Sequence, residues 1–354
     1  MSIAESVERA RPAFGRDVAA GLDALEPLIG RLPIDDAVAG GGERVVTSAL
    51  RSYRFEAGRD AASATTVLAA VPASALGALD AALRECVQYS RTRHLYGGTV
   101  LDIPHARSLL AAALADALTA DALSSAAVCL ADAHAPAASV AVALSAHLSC
   151  VLLAEAAQQV SVLAGSTFYA RIAPFELIEQ HVRDLSALPV LVPGLSDALP
   201  SALAGLDAWC ASTDAAAPGS LLRSEVALAI ASDAPGAVEV HAALATAASR
   251  TLAEVGAGGA MEPYEELELA HRVALLTAGA AVVDGWLHAR GAEAIAGDPL
   301  ALEACLRRIR GRLARRQPPL PADLVARLVA HAEARAASGE EMAIGPARAT
   351  VPPM

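Results

Sequence analysis

The chain has 354 residues, 55% apolar, 19% charged and 3% aromatic, and its 27 basic residues against 39 acidic ones give a net charge of −12. It contains no Lys and no Asn, so every basic residue is Arg, which excludes a Schiff-base lysine, a pyridoxal-phosphate anchor and a P-loop lysine. The acidic balance disfavours nucleic acid or an anionic membrane as the main partner, since both need a basic face, and the apolar content is that of a chain that folds.

Residues 1–62 read as a short N-terminal helical segment, broken at Pro27, Pro33 and Gly40-Gly41-Gly42. Glu5 and Glu8 stand where an apolar signal core would lie, so no secretory leader is expected. From there, apolar residues three and four apart predict long helices separated by Pro/Gly breaks. The first spans 72–93 and stops at Gly97-Gly98. The second spans 102–134, with Asp102 as N-cap and Pro104 in its first turn. The third occupies an uncharged run up to Gly165, and the fourth spans 174–188 and ends at Pro189. Part of that run, 136–154, is long enough to cross a bilayer, but Ser139, Ser145, His147 and Ser149 inside it predict a buried helix of a bundle. Beyond Pro193-Gly194 four or five more helices are expected, with breaks at 218–219, 235–236, 256–259, 297–299 and 318–321. Strand signals are nearly missing. The expected fold class is all-α, a helical bundle over 63–196 with an additional helical region at 197–340 and a disordered tail at 341–354.

Few side chains announce chemistry by pattern. Cys86, Cys129, Cys150, Cys210 and Cys305 form no CxxC pair, and core thiols in a reducing cytosol are expected rather than a metal or disulfide framework. His105, His134, His147, His181 and His241 are dispersed and read as surface or hydrogen-bonded core residues, and Trp209 and Trp286 as core anchors. Arg307, Arg308, Arg310, Arg312, Arg315 and Arg316 crowd one stretch and spread around a helix. They fit a solvated or interface helix, or a phosphate or coenzyme A contact. Glu85, Glu155, Glu176, Glu179 and the run Glu262, Glu265, Glu266, Glu268 read as solvated faces.

One segment is more specific. Tyr89-Ser90-Arg91-Thr92-Arg93-His94-Leu95-Tyr96-Gly97-Gly98-Thr99-Val100, followed by Asp102-Ile103-Pro104-His105-Ala106-Arg107, resembles the helical C-terminal domain of acyl-CoA dehydrogenases. In that family an Arg, two residues, an aromatic and a Gly close one long helix, and the next carries an Arg near its start. Leu163-Ala164-Gly165-Ser166-Thr167-Phe168-Tyr169, with Gln180-His181-Val182-Arg183-Asp184, is similar to the family's glycine turn and later Arg-Asp. The resemblance covers about residues 65–195. It implies that Arg93, Tyr96, Gly97, Arg107, Ser161 and Gly165 bind cofactor, the Arg93 loop reaching the FAD of a neighbouring subunit in an oligomer.

Three departures shape what the resemblance implies. The family places a helical domain and a β-domain ahead of this region, whereas residues 1–62 precede it here, so most flavin and substrate housing is expected from a partner. The family's catalytic Glu falls on Val192 or Val67, and a valine cannot take an α-proton. Leu95 stands where a hydroxyl residue is common, and Ser161 falls near the family's Gln, with Gln158 and Gln159 just upstream. The implied function is therefore an acyl-CoA dehydrogenase-like cytoplasmic protein, degenerate or completed by a homologous subunit, acting on an acyl thioester. The alternatives are a flavin-independent enzyme acting on a thioester or polyketide-like intermediate of secondary metabolism, with no cofactor, and a non-enzymatic structural subunit. No catalytic residue, metal, nucleic acid or membrane partner is assigned.

Overall fold

The computed structural model describes residues 2–29, 61–165, 168, 176–192, 194–214, 216–292, 294–338 and 342. Pro33, the Gly40-Gly41-Gly42 cluster, Tyr169 and the stretch 343–354 lie outside them. Among the described residues there are thirteen α-helices and one small hairpin, the all-α bundle that the periodicity predicts.

Helix α1 (Ile3–Phe14) opens on a capping box: Ser2 Oγ accepts from the Glu5 amide at 3.1 Å and Glu5 accepts from the Ser2 amide at 3.1 Å. Helix α2 (Val18–Ile29) keeps Pro27 inside its last turn rather than breaking there. A proline this close to the end forfeits one helical bond, which is cheap beside the burial of Leu22, Leu25 and Ile29.

The central bundle consists of α3 (Ala61–Thr92), α4 (Pro104–Asp132), α5 (Ala138–Ala164) and α6 (Glu176–Leu191). Two expected ends move. Helix α3 starts well before Pro72, and α6 passes Pro189 and stops at Leu191. In α3 the residues flanking Pro72, including Val71, Ala73 and Leu76, are buried, so packing outweighs the lost hydrogen bond. Asp102 is not the N-cap of α4; Ile103 is, with Pro104 at the first helical position. Asp102 closes the preceding 3-10 turn (Val100–Asp102) instead. Helix α5 ends on Gly165, whose φ of 54° only glycine adopts readily.

Short connections make α3, α4 and α5 run up, down and up. The Ser145 hydroxyl donates to the Leu123 carbonyl at 3.2 Å, tying α5 to α4. Cys86 Sγ lies 3.8 Å from the Val160 carbonyl, so the C-terminal ends of α3 and α5 share one end of the bundle. These three helices are long and apolar enough to cross a membrane by length and composition; here most of each apolar window is packed inside the protein.

The chain continues as α7 (Ala198–Ala202), α8 (Leu206–Ala211), α9 (Ser224–Asp233), α10 (Val238–Ala257), α11 (Pro263–Ala289), α12 (Pro299–Leu313) and α13 (Ala322–Ser338). The two short helices α7 and α8 make the number larger than the sequence predicts. The breaks fall where Pro and Gly place them. Pro218 and Pro235 open 3-10 turns, Gly258 caps α10 with a φ of 57°, and Gly297 closes the turn before α12. Helix α11 packs on α4 and α5, α12 on α4, and α13 on α4 and α3. Trp209 and Trp286 anchor this region, both buried, with Trp209 Nε1 donating to Thr277 Oγ1 at 3.0 Å. Four cysteines are buried, but Cys129 is exposed, against the expectation that all five are core residues. It sits in the last turn of α4.

Apart from the exposed Arg316, the arginine-rich stretch forms an interface within the chain. Asp116, in the middle of α4, is buried and receives Arg308 through two bonds and Arg312 Nη2 at 2.9 Å. Arg312 Nη1 reaches Glu155 on α5 at 2.6 Å. Arg307, Arg310 and Arg315 pair with Glu303, Glu239 and Glu268. These guanidinium groups are already neutralised by carboxylates, which leaves them a poor phosphate clamp.

Candidate functional site

At the exit of α3 the chain turns through a hairpin, β1 (His94–Leu95) pairing antiparallel with β2 (Gly98–Thr99), His94 opposite Thr99 and Leu95 opposite Gly98. The two turn residues, Tyr96 and Gly97, have φ of 55° and 87°, the positive pair that a type I′ turn requires. Its base is well held. The Val100 amide donates to the Arg93 carbonyl at 3.0 Å, and Arg93 to the Tyr89 carbonyl at 2.9 Å. Asp102 Oδ2 accepts from the Thr99 amide at 2.6 Å and the Thr99 hydroxyl at 2.8 Å. Those two bonds, with Arg107 and His94 nearby, hold the Asp102 carboxyl below its ordinary range. A Cβ on Gly98 would come within 2.8 Å of Asp102 Oδ2, so a side chain there would push the Asp102 carboxylate from this position.

What the hairpin presents is an exposed aromatic and an exposed cation. Tyr96 is 98% exposed and Leu95 is exposed beside it. The Arg93 side chain is exposed, with no partner among the described residues. Arg107, one turn into α4, is half-buried and donates weakly to the Leu101 carbonyl at 3.5 Å. Ser161 and Gly165 come to the same end through α5; the Ser161 hydroxyl donates to the Gln158 carbonyl at 2.7 Å, and Val162 between them is 53% exposed. The bundle thus gathers at one end all six residues that the sequence points to.

The two family positions for a base are elsewhere. Val67 and Val192 are both buried. A Cβ on Gly194 would lie 3.9 Å from Leu68 Cδ2, so the start of α3 and the end of α6 meet at the opposite end of the bundle. The later Arg-Asp motif is held in place: Arg183 bonds both oxygens of Glu179 at 2.9 and 3.0 Å and Asp184 at 3.4 Å. Burial pushes the Asp184 carboxyl up, against the pull of Arg183.

A second constellation is not legible in the sequence. His147 Nε2 on α5 lies 3.3 Å from His271 Nδ1 on α11, with the rings edge to face. Burial, and then the neighbouring ring, brings His147 down to about 4; burial lowers His271 as well. His271 opens onto a cleft of about 790 Å³ between α10, α11 and α12. Tyr264 donates to Glu268 at 2.9 Å on its rim. The two histidines are 124 positions apart, so no local motif joins them; the one hint is a His inside the uncharged third helix. Among the described residues, no group of three or more His, Cys, Asp or Glu side chains could hold a metal ion.

No curated protein and no solved structure matches the chain. Residues 68–191, which carry the hairpin, the glycine turn of α5 and the Arg-Asp of α6, match the family model described as acyl-CoA dehydrogenase, C-terminal domain.

Proposed function

We propose that this chain is an acyl-CoA dehydrogenase-like subunit that completes the flavin site of a homologous partner in an oligomer, in the cytoplasm, and acts with it on an acyl thioester. The observation that carries the reading is the ordered hairpin that holds Tyr96 almost wholly in solvent beside an Arg93 with no partner among the described residues. A large ring held in water by a tight turn gains nothing within its own chain; against a partner it would bury most of its surface. The residues present fit such a group. Arg93 and Arg107 offer guanidinium donors for a pyrophosphate, and Tyr96 offers a ring face for a flat heterocycle. FAD, when bound, supplies the acceptor for a hydride. This chain's part is to bind and orient, with residues 63–196 as the bundle unit and 197–340 as its support. The α-proton has no acceptor at Val67 or Val192, so the base is assigned to the partner.

Co-expression with a full-length acyl-CoA dehydrogenase homologue tests this. The two chains are expected to purify as one yellow complex, and Arg93→Ala or Tyr96→Ala to weaken flavin retention about tenfold, the loss of roughly one charge-assisted bond or stacked ring. A chain that purifies alone, ignores the homologue and holds no flavin defeats the proposal.

The two buried valines favour a second reading, a flavin-independent enzyme for a thioester or polyketide-like intermediate. Colourless protein that turns over such a thioester supports it. Yellow protein that reduces a dye with acyl-CoA removes it.

A further inference from the structure

We propose that the cleft between α10, α11 and α12 is a binding site for an uncharged hydroxyl compound, such as a phenol or enol, that hydrogen-bonds to His271 Nε2. The site belongs to helices outside the matched bundle, with only His147 contributed from α5, and it does not rest on the flavin reading.

The cleft, of about 790 Å³, is within the range of small-molecule sites. Met261, Leu275 and Leu313 supply an apolar wall. Most of the charges around them are spent on one another, although Glu265 bonds only the Glu262 amide. Arg272 binds Glu254 through two bonds of 2.6 and 2.8 Å, Arg315 pairs with Glu268, and Arg312 gives Nη1 and Nη2 to Glu155 and Asp116 while its buried Nε has no partner among the described residues. An anionic ligand such as a phosphate or carboxylate would compete with these pairs and meet the carboxylates of Glu254, Glu265 and Glu268. The unspent group that can both donate and accept is an imidazole. His271 Nδ1 is engaged by His147, while His271 Nε2 has no hydrogen-bond partner among the described residues. Burial keeps both rings neutral at neutral pH. A neutral imidazole pair shares one proton across its contact, so the outward nitrogen is a donor in one tautomer and an acceptor in the other. A hydroxyl satisfies either; a bare carbonyl or ammonium satisfies only one.

The test is a fluorescence titration of the full chain with 2-naphthol at neutral pH, with naphthalene-2-sulfonate as the anionic control. Saturable binding of 2-naphthol is expected, about tenfold tighter than the sulfonate and about tenfold weakened in His271→Phe, which keeps a ring but loses the hydrogen bond. Histidine ring resonances of the unmutated chain give a readout independent of any variant's folding. Those of His271 and His147 are expected to shift with 2-naphthol while that of His105, which does not line the cleft, stays. Equal binding of the sulfonate, binding indifferent to His271→Phe in a folded variant, unmoved His271 and His147 resonances, or no saturable binding overturns the proposal.

Discussion

Tyr96 carries two costs at once, a left-handed backbone worth roughly 1–2 kcal/mol for a residue with a side chain and a ring exposed to water. The sequence shows the aromatic-glycine pair that closes the hairpin, because Tyr96 and Gly97 are neighbours in the chain. It does not show the exposure, which depends on how far β1 and β2 carry the turn from the bundle. Cysteine is the converse case. Five scattered thiols look alike in the sequence, yet burial drives Cys86, Cys150 and Cys305 up to about 12 and Cys210 to about 11. Cys129 is exposed, although partial burial and then Asp132 raise it too. Iodoacetamide is therefore expected to label the native chain once, slowly and at Cys129, by intact mass and peptide mapping. All five thiols should label after unfolding. Native labelling of Cys86 or Cys305 would contradict the packing described.

Helix α12 shows how an element can be recognised and still be misread. Its arginines are plain in the sequence, but their partner on α4 lies 192 positions upstream of Arg308, and nothing local points to it. The signal that could have found it is Asp116 itself. An aspartate in the middle of an Ala/Leu helix cannot be buried unless a cation comes to it. Removing it should be expensive in a way that removing a surface pair is not. Asp116→Ala leaves Arg308 and Arg312 buried without this counter-charge and is expected to cost about 3–5 kcal/mol by chemical denaturation. Arg315→Ala, which breaks an exposed pair with Glu268, is expected to cost under about 1 kcal/mol. Similar losses for the two variants would mean that Asp116 does not organise the junction. The same contrast governs the prolines. Pro27, Pro72 and Pro189 read as breaks by local rules, and packing on both sides carries the helices through them.

At the scale of the whole molecule, buried titratable groups set how stability follows pH. His147 and His181 take up protons near 6.5 when unfolded but not until about 4 when folded, in both cases chiefly because of burial. Between those values the unfolded chain binds more protons, so stability falls as pH drops from 6.5 toward 4 and levels off below. Asp121, Asp184 and Asp284, raised by burial, act in the opposite sense and blunt the loss at its lower end. Thermal melts across this window are expected to show the decline. His181→Leu, at a site with no exposed surface, is expected to remove about 3 kcal/mol of it. A pH profile unchanged by that substitution would rule out His181 as a source. Helix existence and the residues of the hairpin end were legible because both depend on near neighbours in sequence. The histidine pair, the arginine clamp and the order in which α11, α12 and α13 cover the bundle were not, because each joins positions more than a hundred apart. That separation also sets a timetable for synthesis. At roughly 5–20 residues per second, a 192-residue gap means that Asp116 leaves the ribosome on the order of 10–40 s before Arg308 exists. The segment bearing the family pattern is translated early, yet it waits with an unanswered carboxylate for helices made long afterwards, and a nascent chain stalled before α12 would hold that bundle unfinished.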